Sequence, residues 1–340
     1  MIALLKEVGR GKRGARDLTY EETLRAAEEI LTLRATPAQI GAFFIAERIK
    51  METVEELEAF VAVCRKFARR EPMPEGIDCA GPYDGRRKSF FASFACAFVL
   101  ASAGLPVTLH GTASLPPKWG ITLHDLLEQI GIRPRETEHG ALVEAARRTG
   151  VLYVPAEEWC PPLKELRPIR EQLGMRTVLN TAEKLIDYGL SPYLAFGVYH
   201  NTVFDRLSRL MTKLNYRKAL IVQGTEGSED LFIDRPTRTY VVEGGEATLQ
   251  VVSPEAWGLD TPVPETEWSP ASQLAVVEAV LQGEAEMGFQ NQVLLNAAYR
   301  LHHAGRVGSM EEGLYACKAV LDSRQAWQTY LDWKGLLLRA

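Results

Sequence analysis

The stretch from Ser89 to Pro117 contains no Asp, Glu, Lys or Arg, and it constrains the fold more than any other part of the chain. Its centre, SFFASFACAFVLASAG, is apolar and rich in small residues. Gly104 and Pro106 interrupt it before it reaches the about 20 apolar residues that a membrane span needs. The pattern therefore predicts a buried helix that leads into a buried strand, and no contact with a membrane.

The chain beyond residue 72 alternates between short apolar runs and helical patterns. Runs rich in β-branched and aromatic residues predict strands, and the segments between them predict helices. The predicted strands are Leu105–Leu109, Val151–Val154, Ala219–Val222 and Tyr240–Val242, and the predicted helices include Asp125–Ile130, Leu142–Arg148 and Asn201–Leu214. This alternation predicts an α/β fold with a mostly parallel central sheet flanked by helices.

The first part of the chain predicts a small all-helical N-terminal domain. Capping boxes begin at Thr19, Thr36 and Thr53, each followed three residues later by Glu or Gln. A linker with two prolines, Glu71–Asp78, ends this unit. We expect a helical domain over 1–72, joined by a returning helical segment at about 163–188, and an α/β domain over 73–162 and 189–340.

Composition excludes several classes of protein. The formal net charge of −5 excludes a globally basic nucleic-acid coat, although it leaves room for a local basic patch. The five cysteines form no CxxC pair and have no metal-site spacing with the six histidines, which favours small buried side chains. The N-terminus has no apolar core long enough for a signal peptide, so we expect a cytoplasmic protein.

Several segments, in order, resemble the anthranilate phosphoribosyltransferase (TrpD) family, glycosyltransferase family 3. They are QIGAFFIAERIKMETVEELEAF, FVLASAGLPVTLHG, PIREQLGMRTVLN, GVYH, ALIVQGTEGSED and NQVLLNAAYRLHHAGRVGSMEEGLYACKAVLDSRQA. The resemblance covers nearly the whole chain. It implies a small helical domain, a larger α/β domain, a homodimer formed through the helical part, and phosphoribosyl pyrophosphate (PRPP) held with Mg²⁺ as the donor.

The resemblance also implies site residues, because cleavage of the ribose–pyrophosphate bond requires neutralisation of the diphosphate. Glu229, Asp230 and Ser93 match the family's metal ligands, and Arg170 matches the arginine that binds the acceptor carboxylate. Residues implied at the phosphates are Gly81, Asp84, Gly85, Arg86, Arg87, Lys88, Ser93, His110, Gly111 and Thr112. Purely structural roles stay open for these residues: a solvated turn at 229–230, a small residue in a buried helix at 93, an interdomain arginine at 170 and a structural histidine at 110.

The chain departs from the family in the phosphate loop. Where the family has GTGGD, this chain has Gly81-Pro82-Tyr83-Asp84-Gly85, in which proline removes an N–H, tyrosine fills space and aspartate adds negative charge. The family stretch LGPLTNP is replaced by TAEKLID at 181–187. These departures predict a degenerate PRPP loop and an acceptor other than anthranilate.

The departures themselves resemble a second branch of the fold, the TrpD-like paralogues. EVGRGKRGARDLT, PYDGRRKS, TAEKLID and GTEGSED carry this resemblance. That branch is known for lacking the anthranilate activity and, in at least one lineage, for binding nucleic acid. The resemblance therefore implies a catalytically inactive nucleic-acid-binding protein as the alternative to an enzyme.

Basic residues recur in three runs, Lys6–Arg16, Arg86–Lys88 and Lys164–Arg176. They suit nucleic-acid phosphates, the diphosphate of a smaller ligand, or solvated helix faces paired with acids. Three hypotheses follow: a phosphoribosyltransferase-like enzyme with another acceptor, an inactive paralogue that binds nucleic acid in a basic cleft, and a structural dimer whose pocket holds another phosphate-bearing metabolite.

Overall fold

The computed structural model describes residues 1–11 and 13–340, so Lys12 of the first basic run lies outside the described residues. The α-helices are α1 (Ile2–Val8), α2 (Tyr20–Leu31), α3 (Pro37–Lys50), α4 (Val54–Phe67), α5 (Ala92–Ser102), α6 (Leu123–Ile130), α7 (His139–Thr149), α8 (Ala156–Trp159), α9 (Pro161–Leu173), α10 (Leu179–Ala182), α11 (Phe204–Lys213), α12 (Pro270–Gln282), α13 (Met287–His303), α14 (Met310–Asp322) and α15 (Gln325–Leu337). The strands are β1 (Ile77–Ala80), β2 (Val107–Gly111), β3 (Val151–Pro155), β4 (Tyr193–Gly197), β5 (Lys218–Val222), β6 (Thr237–Glu243) and β7 (Glu246–Val252).

The N-terminal helices begin where the sequence predicts. At Thr19, Thr36 and Thr53 the hydroxyl accepts from the N–H three residues on, and that residue's side chain accepts from the threonine N–H. These reciprocal bonds satisfy N–H groups that have no partner within the helix. The later helix α9 packs against α2 and α3 of this group. The domain limits at residues 72, 163 and 188 stay a prediction.

The remainder is built on one seven-stranded sheet in the order β3-β2-β1-β4-β5-β6-β7. The first five strands are parallel, and β6 and β7 are antiparallel. The predicted fold class, a small helical domain with a helix-flanked and mostly parallel sheet, is confirmed. Sequence patterns missed β1, β4 and β7. The linker predicted at Glu71–Asp78 runs into β1, which is only four residues long.

The uncharged stretch forms α5 and β2, as predicted, although the strand begins two residues later than expected. Helix α5 is covered by α15, where the Phe98 and Trp333 rings meet edge to face with centroids 5.4 Å apart. Among the described residues, no helix combines the length and the apolar character that a membrane crossing requires.

Strand order places the functional candidates. The chain runs outward from β1 to β2 and β3 on one side, and from β4 to β5 on the other. In open parallel sheets, ligands bind beyond the carboxyl ends of the strands where this direction reverses, which here is between β1 and β4. Gly81 follows β1 and Gly197 ends β4, so both lie at this point.

Candidate functional site

The three predicted metal ligands, Ser93, Glu229 and Asp230, lie together, and the Arg86 guanidinium lies between them. Arg86 Nη1 donates to Asp230 Oδ2 at 2.5 Å. Its Nη2 donates to Ser93 Oγ at 3.2 Å and to Glu229 Oε2 at 3.3 Å. Arg86, predicted at the phosphates, is therefore a buried member of this cluster, with only 1% of its surface exposed.

A second arginine, Arg300 of α13, balances the charge. Its Nη2 donates to Asp230 Oδ1 at 2.9 Å and to the Glu229 backbone carbonyl at 3.0 Å. Burial by itself would raise the pKa of Asp230, but the two guanidinium groups outweigh burial and hold this pKa below its ordinary value. Two buried carboxylates thus face two buried cations, which leaves the cluster without net charge.

Magnesium does not fit this cluster while Arg86 is in place. Gly81 makes room for the Glu229 carboxylate rather than for a phosphate, since a Cβ on Gly81 would lie 2.6 Å from Glu229 Oε2. The remaining cavity, lined by Gly81, Arg86, His110, Gly111 and Glu229 among others, holds only about 10 Å³. That volume is about one water molecule, too little for a hydrated Mg²⁺. Within the described ranges, no group of three His, Cys, Asp or Glu side chains is arranged to hold a metal.

The altered phosphate loop is held by ion pairs. Asp84 is buried and lies 3.1 Å from Lys118 Nζ and 3.0 Å from Arg176 Nη2, so its charge is neutralised within the protein. Gly85 has a φ of +77°, and a Cβ there would meet the Gly120 backbone at 2.4 Å. Glycine at this position is required by the turn itself.

Tyr83 closes the same loop against β2. Its hydroxyl lies 2.7 Å from His110 Nδ1, and His110 Nε2 lies 3.0 Å from Asp78 Oδ1 in β1. All three side chains are buried. Burial raises the pKa of Tyr83 well above its ordinary value, so the tyrosine stays neutral and hydrogen-bonds to His110. The contact between His110 Nε2 and Asp78 lacks hydrogen-bond geometry.

Three other residues predicted at the phosphates have partners within the protein through a backbone N–H or a hydroxyl group. Arg87 and Lys88 have exposed side chains. The Arg87 N–H donates to Glu226 Oε1 and the Lys88 N–H donates to Glu226 Oε2, both at 2.9 Å. Thr112, just after Gly111 at the end of β2, accepts from Arg167 Nη2 at 3.0 Å. A carboxylate of the protein therefore already occupies the backbone donors of 87–88.

Arg170, predicted to bind an acceptor carboxylate, binds a carboxylate of the protein itself. Its two terminal nitrogens donate to Glu183 at 2.6 and 2.9 Å, and both side chains are 1% exposed. Glu183 belongs to the TAEKLID stretch that replaces the family's LGPLTNP. An acceptor could reach Arg170 only if this paired geometry were broken.

An open cavity of about 390 Å³ lies beside these residues, between α3 and the carboxyl ends of β1 and β4. We call it the interdomain cleft. It is lined by four basic side chains and two acids, namely Arg48, Arg176, Lys184 and Arg206 with Glu52 and Asp84. Lys184 Nζ donates to the Gly197 carbonyl at 2.8 Å and lies 3.8 Å from the centroid of the Phe196 ring. Burial lowers the pKa of Lys184 to about 7.

Sequence reasoning missed several of these partners. Glu183 and Lys184 lie in a stretch that the sequence marks as a departure, but nothing in that stretch indicates which residues they meet. Arg300 had a usable signal: it follows Val293, Asn296 and Ala297 at helical spacing on the buried face of α13. A charged residue on such a face is rarely buried without a partner, which predicts a buried acid nearby.

Comparison with known proteins agrees with this architecture. Residues 2–68 match the glycosyl transferase family helical bundle domain, and residues 78–327 match the glycosyl transferase family a/b domain. The chain is 32% identical over 332 residues to the anthranilate phosphoribosyltransferase of Symbiobacterium thermophilum, covering 96% of this chain and 94% of that protein. It is also 32% identical over 315 residues to the enzyme of Chloroflexus aggregans, covering 92% of each.

Solved structures share the fold over the whole chain. The anthranilate phosphoribosyltransferase of Thermus thermophilus superposes with a TM-score of 0.85 at 24% identity, covering 100% of both chains. The enzyme of Saccharomyces cerevisiae in complex with PRPP and Mg superposes with a TM-score of 0.80 at 16% identity, covering 100% of this chain and 98% of that one. Both parts of the chain match the family, and one relative is 32% identical over 96% of this chain. The chain therefore belongs to the glycosyl transferase family that contains the anthranilate phosphoribosyltransferases.

Proposed function

We propose that this chain is a phosphoribosyltransferase-family protein that binds a small phosphate-bearing ligand in the interdomain cleft, and that anthranilate is not its acceptor. The observation that carries the proposal is the contrast between two cavities. Five of the ten residues predicted at the phosphates, namely Gly81, Arg86, His110, Gly111 and Thr112, line a space of about 10 Å³. The adjacent cleft, which Asp84 lines, offers about 390 Å³. A small metabolite fits only the second of these volumes.

The charges of the cleft favour an anionic ligand. Arg176 pairs with Asp84, and Arg206 Nη1 lies 3.4 Å from a Glu52 carboxylate oxygen, so the two acids of the cleft each face one cation. Arg48 and Lys184, whose pKa burial lowers to about 7, add positive charge beyond these pairs. Arg206 and Arg48 use only part of their donor capacity within the protein. Arg206 Nη1 donates to the Glu52 carbonyl at 2.6 Å, and Arg48 Nη1 donates to the Arg176 carbonyl at 3.3 Å. Because each guanidinium has five N–H donors, both retain groups that can bind phosphate oxygens.

The acceptor part of the proposal rests on Arg170. An anthranilate carboxylate would have to compete with Glu183, which is covalently part of the protein and already bonded at 2.6 and 2.9 Å. This supports membership of the TrpD-like branch that lacks anthranilate activity. PRPP, bound in the yeast structure, is the phosphate-bearing compound to test first.

The basic runs do not favour nucleic acid over a small ligand. Arg16 pairs with Glu7 and Glu22, and Arg167 pairs with Glu157 and Glu171. In the second run Arg86 is buried, so Arg87 and Lys88 are its exposed cations. Nucleic-acid binding and the homodimer through the helical part stay predictions.

The test is calorimetric titration of the full chain with PRPP and with inorganic pyrophosphate, alongside anthranilate fluorescence. We expect binding of at least one of these anions and no consumption of anthranilate when PRPP and Mg²⁺ are supplied. Arg206→Ala should weaken binding at least tenfold. Arg209→Ala, an exposed arginine one turn along α11, is the matched control and should leave it unchanged. Consumption of anthranilate by the wild type, or no anion binding at millimolar concentration, would refute the proposal.

A further inference from the structure

The cluster of Arg86, Arg300, Glu229 and Asp230 has the composition of a metal site in which the metal is replaced by protein cations. We propose that the Arg86 guanidinium serves as a built-in substitute for a divalent cation at Ser93, Glu229 and Asp230, and that it masks a latent Mg²⁺ site which its removal would expose. The inference does not depend on which ligand the interdomain cleft binds.

The partners of Arg86 are the kind of oxygen ligands that a hard divalent cation takes. They include a hydroxyl, two carboxylates and a backbone carbonyl, the last being that of Phe90 at 2.7 Å. Carboxylate, carbonyl and hydroxyl oxygens of this kind suit Mg²⁺ and Ca²⁺. The guanidinium gathers them in one place and stays charged at every physiological pH.

Charge balance explains why the substitution excludes a metal. Arg86 and Arg300 together offset the two carboxylates, and Arg86 supplies one of these two positive charges. A Mg²⁺ ion added to this arrangement would place two uncompensated charges in a buried site, and the cost of desolvating them would oppose binding. The positive charge at this site therefore belongs to a side chain of the protein and does not depend on whether a metal ion is available.

Arg86 is also held so that it cannot swing out. Its backbone exchanges two hydrogen bonds with Ile121, at 2.7 and 2.8 Å. Its guanidinium carbon lies 4.2 Å from the centroid of the Phe91 ring, a cation–π contact. With backbone and side chain both fixed, the loop after β1 is tied to the loop after β5 in the absence of any metal.

The first measurement uses the wild-type chain. Mn²⁺ serves as a paramagnetic probe for Mg²⁺, with bound ion followed by electron paramagnetic resonance. We expect no binding at this site, and neither Mg²⁺ nor a chelator should shift the melting temperature. Mn²⁺ bound by the wild type and displaced by Mg²⁺ would overturn the proposal, and because this outcome needs no variant it decides even if none folds.

The second measurement uses Arg86→Ala, which leaves Ser93, Glu229 and Asp230 facing a vacated space. We expect Mg²⁺ to raise the melting temperature of this variant, Mn²⁺ affinity to exceed that of the wild type at least tenfold, and Asp230→Asn in the same background to abolish both effects. Arg70→Ala is the control, because it removes a guanidinium 2.8 Å from another buried acid, Asp187, without creating such a ligand set. A folded Arg86→Ala variant that ignores Mg²⁺, or that responds no more than Arg70→Ala, would refute the latent site.

Discussion

Replacing Glu183 by glutamine tests the interpretation that Arg170 is held in a buried ion pair with Glu183 and does not bind an acceptor. The substitution keeps the shape of the side chain but removes its charge, which leaves a fully buried guanidinium without a counter-ion. Breaking a buried ion pair by removing one partner costs about 3–5 kcal/mol. With an unfolding entropy of about 2.1 cal/mol/K per residue, this cost corresponds to a fall in melting temperature of about 4–7 °C for a chain of 340 residues.

The chain contains a matched control. Arg217 and Glu75 form a second two-pronged pair, at 2.7 and 2.9 Å, but their side chains are 55% and 48% exposed instead of 1%. Solvent screens such a pair, so Glu75→Gln should lower the melting temperature far less than Glu183→Gln does.

Differential scanning calorimetry of the two variants beside the wild type measures the difference directly. The double variant Arg170→Met/Glu183→Leu should melt above Glu183→Gln alone, because it removes both buried charges together. If Glu183→Gln melts within about 1 °C of Glu75→Gln, Arg170 does not depend on Glu183 and the argument against an acceptor carboxylate fails.

Three further predictions concern stability. Burial lowers the pKa of His303 to about 3, so between about pH 6.5 and pH 3 the unfolded chain binds the extra proton at this residue. The contribution of His303 to stability should fall by about 1.4 kcal/mol per pH unit over this range, and the difference in melting temperature between His303→Gln and the wild type should change accordingly. Burial, aided by Glu56, raises the pKa of Glu47 to about 8, so the folded chain binds the extra proton and the contribution of Glu47 to stability should fall as pH rises from about 4.5 to 8. The difference in melting temperature between Glu47→Gln and the wild type at pH 6.5 and pH 8 isolates this slope, because Lys184, which titrates with an opposite slope above about pH 7, is present in both proteins. Gly197→Ala would place a Cβ 2.3 Å from the Gly227 carbonyl oxygen and should destabilise the chain by about 1–3 kcal/mol. Gly140→Ala, in open space on α7, should stabilise the chain slightly. Equal melting temperatures for the two variants would contradict the close packing of β4 on the 227–229 loop.

Local patterns in the sequence were enough for much of the fold. The capping boxes at Thr19, Thr36 and Thr53 are complete in themselves, because every partner lies within three residues. The uncharged run around α5 likewise predicted a helix buried on all sides. The family resemblance ordered these elements correctly and identified Ser93, Glu229 and Asp230 as neighbours in space.

Tertiary structure decided what those neighbours bind. Arg86 is 144 residues from Asp230, Arg170 meets a glutamate 13 residues away, and Glu226 reaches backbone donors 139 residues earlier. An acid that matches a family ligand can face a metal, a substrate or an internal arginine. Side chains from separate helices, strands and loops decide which of these it meets.

The sequence by itself determined the helices, the class of the sheet and the residues that gather at the ends of its strands, because these follow from local periodicity and from resemblance. Only the tertiary structure decided that Arg86, Glu183 and Glu226 occupy the places where a metal, an acceptor carboxylate and a phosphate were expected. The physical reason is that a buried charge must find a partner, and which partner is within reach is fixed only when the chain has packed.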